Sequence, residues 1–257
     1  MSLKTQTDIL HAVRETGSCS IADLANRLAV STETIRRNVK PLIERGMVLR
    51  FHGGVMAPDR QDEAPFQRRL QLNRGAKRII ANLVRDMVRD GDSLILDNGA
   101  TSAYVAEALS IRSNLVVVTN SAEIAWRLAS RNGNRVFMAG GELGGDDAAA
   151  FGAAAIAFIR QFQVRYAVIS VAGIAARGDL VDFHLFEAEF SRAAMEQADE
   201  VWIVADQSKF GREAPVRICD LSAVDLVVSD ARPGADFLRQ LEEAGVRIVT
   251  PEAASRA

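Results

Sequence analysis

SIADLANRLAVSTETIRRNVK, residues 20–40, holds two helix starts separated by a very short gap. Ser20 and Asp23 have the S-x-x-D spacing of an N-terminal cap, and Ile21, Leu24, Ala25 and Leu28 follow at helical spacing. Only Ala29 and Val30 then precede Ser31, which reads as the cap of the next helix. Two short helices joined by so tight a turn form a helix-turn-helix outline. In the second of them, Ile35, Val39, Leu42 and Ile43 fall within a stripe of about 100°. Arg36, Arg37 and Lys40 take the other side with Glu33, and Thr34 lies close to Arg37.

A helix with one apolar face and one basic face fits the major groove, its early residues at base edges and its arginines on bases or phosphates. The competing explanation is an ordinary solvated charged face. The surrounding sequence favours the groove. Upstream, TQTDILHAVRET (5–16) sets Ile9, Leu10, Ala12 and Val13 on one helical side and stops at Gly17. Downstream, MVLRFHGGV (47–55) reads as strand, tight turn at His52, Gly53 and Gly54, and strand. Three helices and a basic hairpin make a winged helix-turn-helix, and Ser31, Thr32, Glu33, Thr34, Arg36, Arg37, Lys40, Arg50 and His52 are its expected DNA contacts. Pro41 removes a helical hydrogen bond, so a bend or early end is expected near residue 40.

Charge agrees with this division. Residues 1–57 carry eight Lys/Arg against five Asp/Glu, or +3; the remainder of a chain with net charge -2 therefore carries -5. Cys19 and Cys219 are the two cysteines of 257 residues, too few for a disulfide framework or a cysteine metal site. MSLKTQTDIL has no apolar run typical of a signal peptide, and no stretch reaches about 18 uninterrupted apolar residues. A soluble cytoplasmic protein is expected, without membrane association, metal or cofactor.

APDRQDEAP (57–65) is polar, has two prolines and reads as linker. The expected organisation is a DNA-binding domain at 1–57, a linker at 58–74 and an effector domain at 75–257. FQRRLQLNRGAKRIIANLVRDMVRDGD (66–92) is helical, with Ile79, Ile80, Leu83, Val84, Met87 and Val88 as its buried side. Seven apolar runs follow: LILD (94–97), LVVVTN (115–120), RVFMAGG (135–141), YAVISVAGI (166–174), VWIVAD (201–206), DLVVSD (225–230) and VRIVT (246–250). Helical patterns at 101–110, 121–131, 148–162, 187–198 and 234–244 separate them. The pattern predicts an α/β domain with a mainly parallel sheet between helices.

Ligands of such sheets bind beyond the carboxyl ends of the strands. Those ends carry Asp97, Asn98, Gly99, Ala100, Thr101 and Ser102; Thr119 and Asn120; Gly140, Gly141 and Glu142; Gly173; and DQSKFG (206–211) with Lys209. A glycine turn leading into a helix that opens with two hydroxyl side chains suits a phosphate or other anion, and Lys209 adds a cation. Each signal alone fits a plain turn or cap; together they point to an anion site. Neither G-x-x-x-x-G-K-[ST] nor G-x-G-x-x-G after a strand is present. In LVDFHLFEAEFSR (180–192), His184 reads as a capping or surface residue rather than a metal ligand. Glu187 and Glu189 diverge on a helix, leaving one to bond a substrate hydroxyl.

The run from about Thr5 to Met56, with TIRR and RFHGG, resembles the DNA-binding domain of the DeoR family of bacterial transcriptional regulators. DNGATS, VTN, AGGE, FEAE and DQSKFG are similar to that family's later motifs, in the same order. Asn38 and Ala100 stand where the family usually has aspartate and threonine. The resemblance implies an effector domain related in fold to ribose-5-phosphate isomerase that binds a phosphorylated sugar or polyol. AIAFIRQF, VAGI, DFHLFEAE and DQSKFGREA are most similar to members governing glycerol 3-phosphate use, so that compound is the expected effector. The expected protein is a repressor of double-stranded operator DNA acting as a dimer or tetramer. The alternatives are a sugar-phosphate isomerase with an auxiliary DNA-binding domain, using Glu142, Glu187 or Asp206 as base, and a regulator with a non-sugar effector.

Overall fold

The computed structural model describes residues 2–16, 18–45, 47–51, 54–56, 63–129, 131–144 and 147–251. The chain divides into two compact units, Met1–Asp62 and Glu63–Ala257.

The first unit runs α1 (Ser2–Thr16), β1 (Ser18–Ser20), α2 (Ile21–Leu28), α3 (Thr32–Glu44), β2 (Leu49–Phe51) and β3 (Gly54–Met56). Both expected caps form. Ser20 Oγ accepts from the Asp23 N–H at 2.9 Å, and Ser31 Oγ accepts from the Thr34 N–H at 3.1 Å. Ala29 closes α2 in the left-handed region at φ 52, and the Val30 N–H returns to the Ala25 carbonyl, which makes the short turn. Ile9, Ala12, Val13, Leu24, Ile35, Val39 and Leu42 converge with Val48 and Val55 into one core.

One expectation needs correction, and one strand was not expected. Helix α3 passes through Pro41 to Glu44 and does not end near residue 40. Pro41 costs a single bond to the Arg37 carbonyl, and buried Val39 and Leu42 on either side hold the turn in place. Residues 18–20, which carry no strand pattern, pair with β3 to give a sheet of order β1-β3-β2. Tertiary pairing supplies what three short polar residues do not signal.

The second unit continues with α4 (Phe66–Gln71), α5 (Arg74–Met87), β4 (Ser93–Leu96), α6 (Ala100–Leu109), β5 (Val116–Thr119), α7 (Ala122–Leu128), β6 (Arg135–Met138), β7 (Leu143–Gly144), β8 (Ala149–Ala150) and α8 (Ala153–Ile159). It ends with β9 (Val164–Ser170), β10 (Gly173–Ile174), β11 (Leu180–Asp182), α9 (Leu185–Met195), β12 (Ala198–Val204), β13 (Val216–Cys219), β14 (Leu226–Val228), α10 (Ala235–Glu243) and β15 (Arg247–Val249). Part of the expected linker belongs to this unit, because Phe66 is buried in its core at 1% exposure.

All seven expected strands pair in parallel, in the order β15-β14-β12-β9-β4-β5-β6. Side chains alternate between two cores. Leu94, Leu96, Tyr166, Val168, Trp202 and Val204 face α4–α7, while Ile95, Ala167, Ile169, Val201 and Ile203 face α8–α10. Helix α5 turns Ile80, Ala81 and Val84 inward, whereas Ile79, expected on the buried side, is exposed. Ala149 and Ala150, expected to be helical, form β8 instead. The Ala150 N–H donates to the Asn120 carbonyl at 2.9 Å, and Gly152 at φ 88 delays the helix to Ala153. Alanine's helix preference is too small to resist such pairing. No helix among the described residues is long and apolar enough to cross a membrane.

Candidate functional site

The sheet order fixes where a crevice opens. From β4 the chain proceeds outward through β5 and β6, then returns to β9 beside β4 and proceeds through β12, β14 and β15 to the other edge. The carboxyl ends of β4 and β9 are thus the point where the winding direction reverses, the position at which doubly wound sheets hold ligands.

Asp97, just after β4, is the crosspiece there. The Ser170 N–H and hydroxyl donate to its Oδ2 at 3.0 and 2.8 Å, and the Ser102 hydroxyl donates to Oδ1. Burial pushes the Asp97 carboxyl up to about 6, against the opposing pull of these bonds. Gly99 precedes α6 and has no room for a side chain, since a Cβ would lie 1.6 Å from Ser170 Oγ and 2.7 Å from Ser170 Cβ. Gly99→Ala is therefore expected to part Asp97 from Ser170 and destabilise this unit by about 2–3 kcal/mol, measured by denaturant unfolding.

Below this crosspiece lies a cavity of about 100 Å³, lined by Asn98, Ala100 and Thr101 at the start of α6 and by Ser170, Ser208 and Lys209 at other strand ends. The first N–H groups of α6 have no partner within the helix, so its N-terminus favours an anion. Asn73, left-handed at φ 49, donates from Nδ2 to Asp206 Oδ1 at 3.2 Å and to Ser208 Oγ at 3.1 Å. That ties the start of α5 to the loop after β12. Lys77 reaches the same cavity with 4% exposure, its Nζ donating to the Leu72 carbonyl, and burial lowers its pKa.

Opposite charges meet at the cavity's outer side. Glu63 Oε2 pairs with Arg69 Nη1 at 2.9 Å, and Glu63 Oε1 stands 3.8 Å from Lys209 Nζ and 4.0 Å from Arg212 Nη1. Carboxylate oxygens of Glu63, Asp182 and Glu187 lie within 4.8 Å of one another. Arg69, Lys209 and Arg212 engage one of those three, which makes the group a mixed-charge network rather than a cage for a metal cation. Burial, then the charges of Asp182 and Glu63, push the Glu187 carboxyl up to about 9. Burial also raises Asp182 and brings Lys209 down to about 8. An adjoining hollow of about 630 Å³ is lined by Glu142, Asp147, His184 and Phe186, and shares Glu63, Arg69 and Glu187 with the inner cavity.

In the first unit, Ser31, Thr32, Glu33, Arg36, Arg37 and Lys40 are exposed on α3, with Thr34 half-buried and Ile35 and Val39 facing the core. Arg36 makes an exposed ion pair with Glu33 at 3.6 Å. Asn38 is buried, its Nδ2 donating to the Thr34 carbonyl at 2.9 Å. Arg50 lies in β2, opposite Val55 of β3. The Arg50 side chain and all of His52 lie outside the described residues.

Residues 6–61 match the DeoR-like helix-turn-helix domain, and residues 72–231 match the DeoR C terminal sensor domain. The chain belongs to the DeoR family of transcriptional regulators. It is 34% identical to the glycerol-3-phosphate regulon repressor of Escherichia coli (strain K12) over 240 residues, covering 93% of this chain and 95% of that one. It is 31% identical to the HTH-type transcriptional repressor CsqR of the same strain, covering 95% and 94%. Ribose 5-phosphate isomerase A from Methanocaldococcus jannaschii overlaps 52% of this chain and 53% of its own, with 16% identity and a TM-score of 0.38, a likeness too slight to carry functional weight. The chain is a DNA-binding transcriptional repressor with a C-terminal sensor domain.

Of the residues expected at the effector site of this DeoR-family repressor, Asp97, Asn98, Ala100, Thr101, Glu187 and Lys209 line the inner cavity, and Gly99 shapes its turn. Ser102 is buried beneath it and bonded to Asp97. Thr119 and Asn120 line neither cavity. The Thr119 hydroxyl accepts from the Ser121 N–H, and Asn120 bonds Ala150. Gly140 and Gly141 are exposed and line neither space, while Glu142 and His184 reach only the outer hollow, His184 stacked on Phe186. Sequence reasoning missed Glu63, Arg69, Lys77, Ser170, Asp182 and Arg212. Lys77 had a visible signal, because it shares helical spacing with buried Ile80, Ala81 and Val84. Glu63, in a polar prolyl stretch, had none.

Proposed function

We propose that this DeoR-family repressor is a cytoplasmic homo-oligomer, a dimer or a pair within a tetramer, whose operator affinity is set by a phosphorylated polyol or sugar bound in the inner cavity. Glycerol 3-phosphate is the best candidate, supported by the 34% identity to a glycerol-3-phosphate regulon repressor over nearly the whole chain. The observation that carries the reading is the convergence of the α6 N-terminus with Lys77, Lys209, Arg69 and Arg212 at the sheet's reversal point. Thr101 and the amides of α6 bind phosphate oxygens, Lys209 supplies charge, and Glu187 bonds a hydroxyl. In the DNA-binding unit, residues 31–34, Arg36, Arg37 and Lys40 read the operator, with Arg50 and His52 on the wing.

Shifted carboxyl and lysine groups in one cavity also suit a sugar-phosphate isomerase. Against that second reading, Glu142 lines only the outer hollow, Asp206 Oδ1 already accepts from Asn73 and Ser208, and burial pushes the Glu187 carboxyl up to about 9, so none of the three is a base poised near neutral pH. The protein acts as a switch, not an enzyme. Calorimetric titration of the full chain separates the cases: glycerol 3-phosphate binds and is unchanged afterwards, and glycerol does not bind. Turnover of a phosphorylated sugar, or equal binding of glycerol, contradicts the proposal.

A further inference from the structure

Glu63 is the first residue of the sensing unit, and its side chain is 5% exposed inside a charged cavity, beside nearby Arg69 and the sequence-distant Lys209 and Arg212. Its placement is costly. Two other carboxyl groups lie within 4.8 Å, and one carboxylate faces three cations. Only Arg69 is at hydrogen-bond distance. Lys209 and Arg212, at 3.8 and 4.0 Å, are near enough for attraction but too far for a hydrogen bond. Arg69 Nε is buried and makes no hydrogen bond among the described residues. Three cations thus face one carboxylate, which hydrogen-bonds only one of them and leaves Arg69 Nε without an acceptor among the described residues.

We infer that Arg69, Lys209 and Arg212 complete, together with the α6 N-terminus of the same cavity, the anion subsite for the effector's phosphate group, and that Glu63 occupies it as the chain's own stand-in until the effector displaces it. The inference rests on the proposed effector reading. A phosphate monoester carries about -1.5 to -2 charges and three acceptor oxygens, against one charge and two oxygens for Glu63. It offers acceptors to Lys209 and Arg69 Nε and more negative charge to Arg212, whose Nη1 also donates to the Ala172 carbonyl at 3.1 Å. Glu63 also lines both the inner cavity and the outer hollow, so its departure joins the two spaces.

The test is calorimetric titration of the full-length protein with inorganic phosphate and with glycerol 3-phosphate, comparing wild type, Glu63→Gln and Arg69→Gln. Removing a tethered competitor is expected to tighten both anions in Glu63→Gln by about tenfold. Arg69→Gln is expected to weaken both by about tenfold or more. If wild type binds glycerol 3-phosphate and Glu63→Gln binds it equally or more weakly, Glu63 is not a rival of the anion; the inference falls and the effector reading stands. If no variant binds either anion, both fall. Glu63→Ala serves as the second variant where glutamine perturbs folding, with the same expected direction.

Discussion

Replacing Arg36 and Arg37 together by alanine is expected to remove specific operator binding while leaving the melting temperature unchanged. Both side chains are exposed on α3, opposite its buried face, so neither contributes to the core. The one ion pair lost, Arg36 with Glu33, is 64% and 82% exposed, and pairs of that kind contribute little to stability. DNA binding is different. An arginine bidentate to guanine contributes roughly 1–3 kcal/mol and discriminates at one position, whereas removing one that sits on a phosphate lowers the salt slope by about one unit. The double variant is thus expected to lose about 2–6 kcal/mol of operator affinity. Measuring each single variant against specific and scrambled duplexes at several salt concentrations separates base from phosphate contacts. Unchanged affinity in the double variant would remove α3 as the reading helix.

Lys209→Ala is expected to weaken binding of the phosphorylated effector by about 2–4 kcal/mol, because a buried charge-assisted contact is lost in a water-poor cavity. Its pKa gives a second handle. Burial is the largest cause of its fall to about 8, opposed by Glu63 and Asp206 and aided by Arg212 and Arg69. A bound phosphate favours the charged lysine, so binding takes up a proton wherever the free site has lost one. Affinity is therefore full below that value and falls as pH rises through about 8. Glu187, pushed up to about 9, turns anionic on further alkalinisation and acts in the same direction. Phosphate itself stays dianionic above about pH 6. Titrations from about pH 7 to about pH 9 are expected to show weakening in wild type and a flatter profile in Lys209→Ala. A flat wild-type profile contradicts a role for Lys209.

The parts legible in the sequence were those governed by local rules. Ser20 and Ser31 announce helix starts through hydroxyls that bond N–H groups three residues on, and the Ala29–Val30 gap leaves no other way to join the helices. Seven apolar runs become seven parallel strands, the five central ones buried on both faces and the edge strands β6 and β15 half-buried. What local rules did not reveal came from tertiary partners. Ala149 and Ala150 read as helix yet pair as a strand, and Ser18–Ser20 becomes an edge of the small sheet. Pro41 breaks one bond without ending its helix. At the site, Asp97, Thr101 and Lys209 were found because strand ends point to them, but Thr119 and Asn120 sit at a strand end outside the reversal point and serve the fold. Glu63 and Arg212 were invisible because their meaning is the distance between them.

The most direct test of the account is operator affinity of the full-length protein with and without glycerol 3-phosphate, followed by fluorescence anisotropy of a labelled duplex. The account predicts that saturating glycerol 3-phosphate changes the affinity by tenfold or more, about 1.4 kcal/mol of coupling, and that glycerol changes nothing. Identical operator affinity with and without every phosphorylated polyol and sugar tried would contradict it.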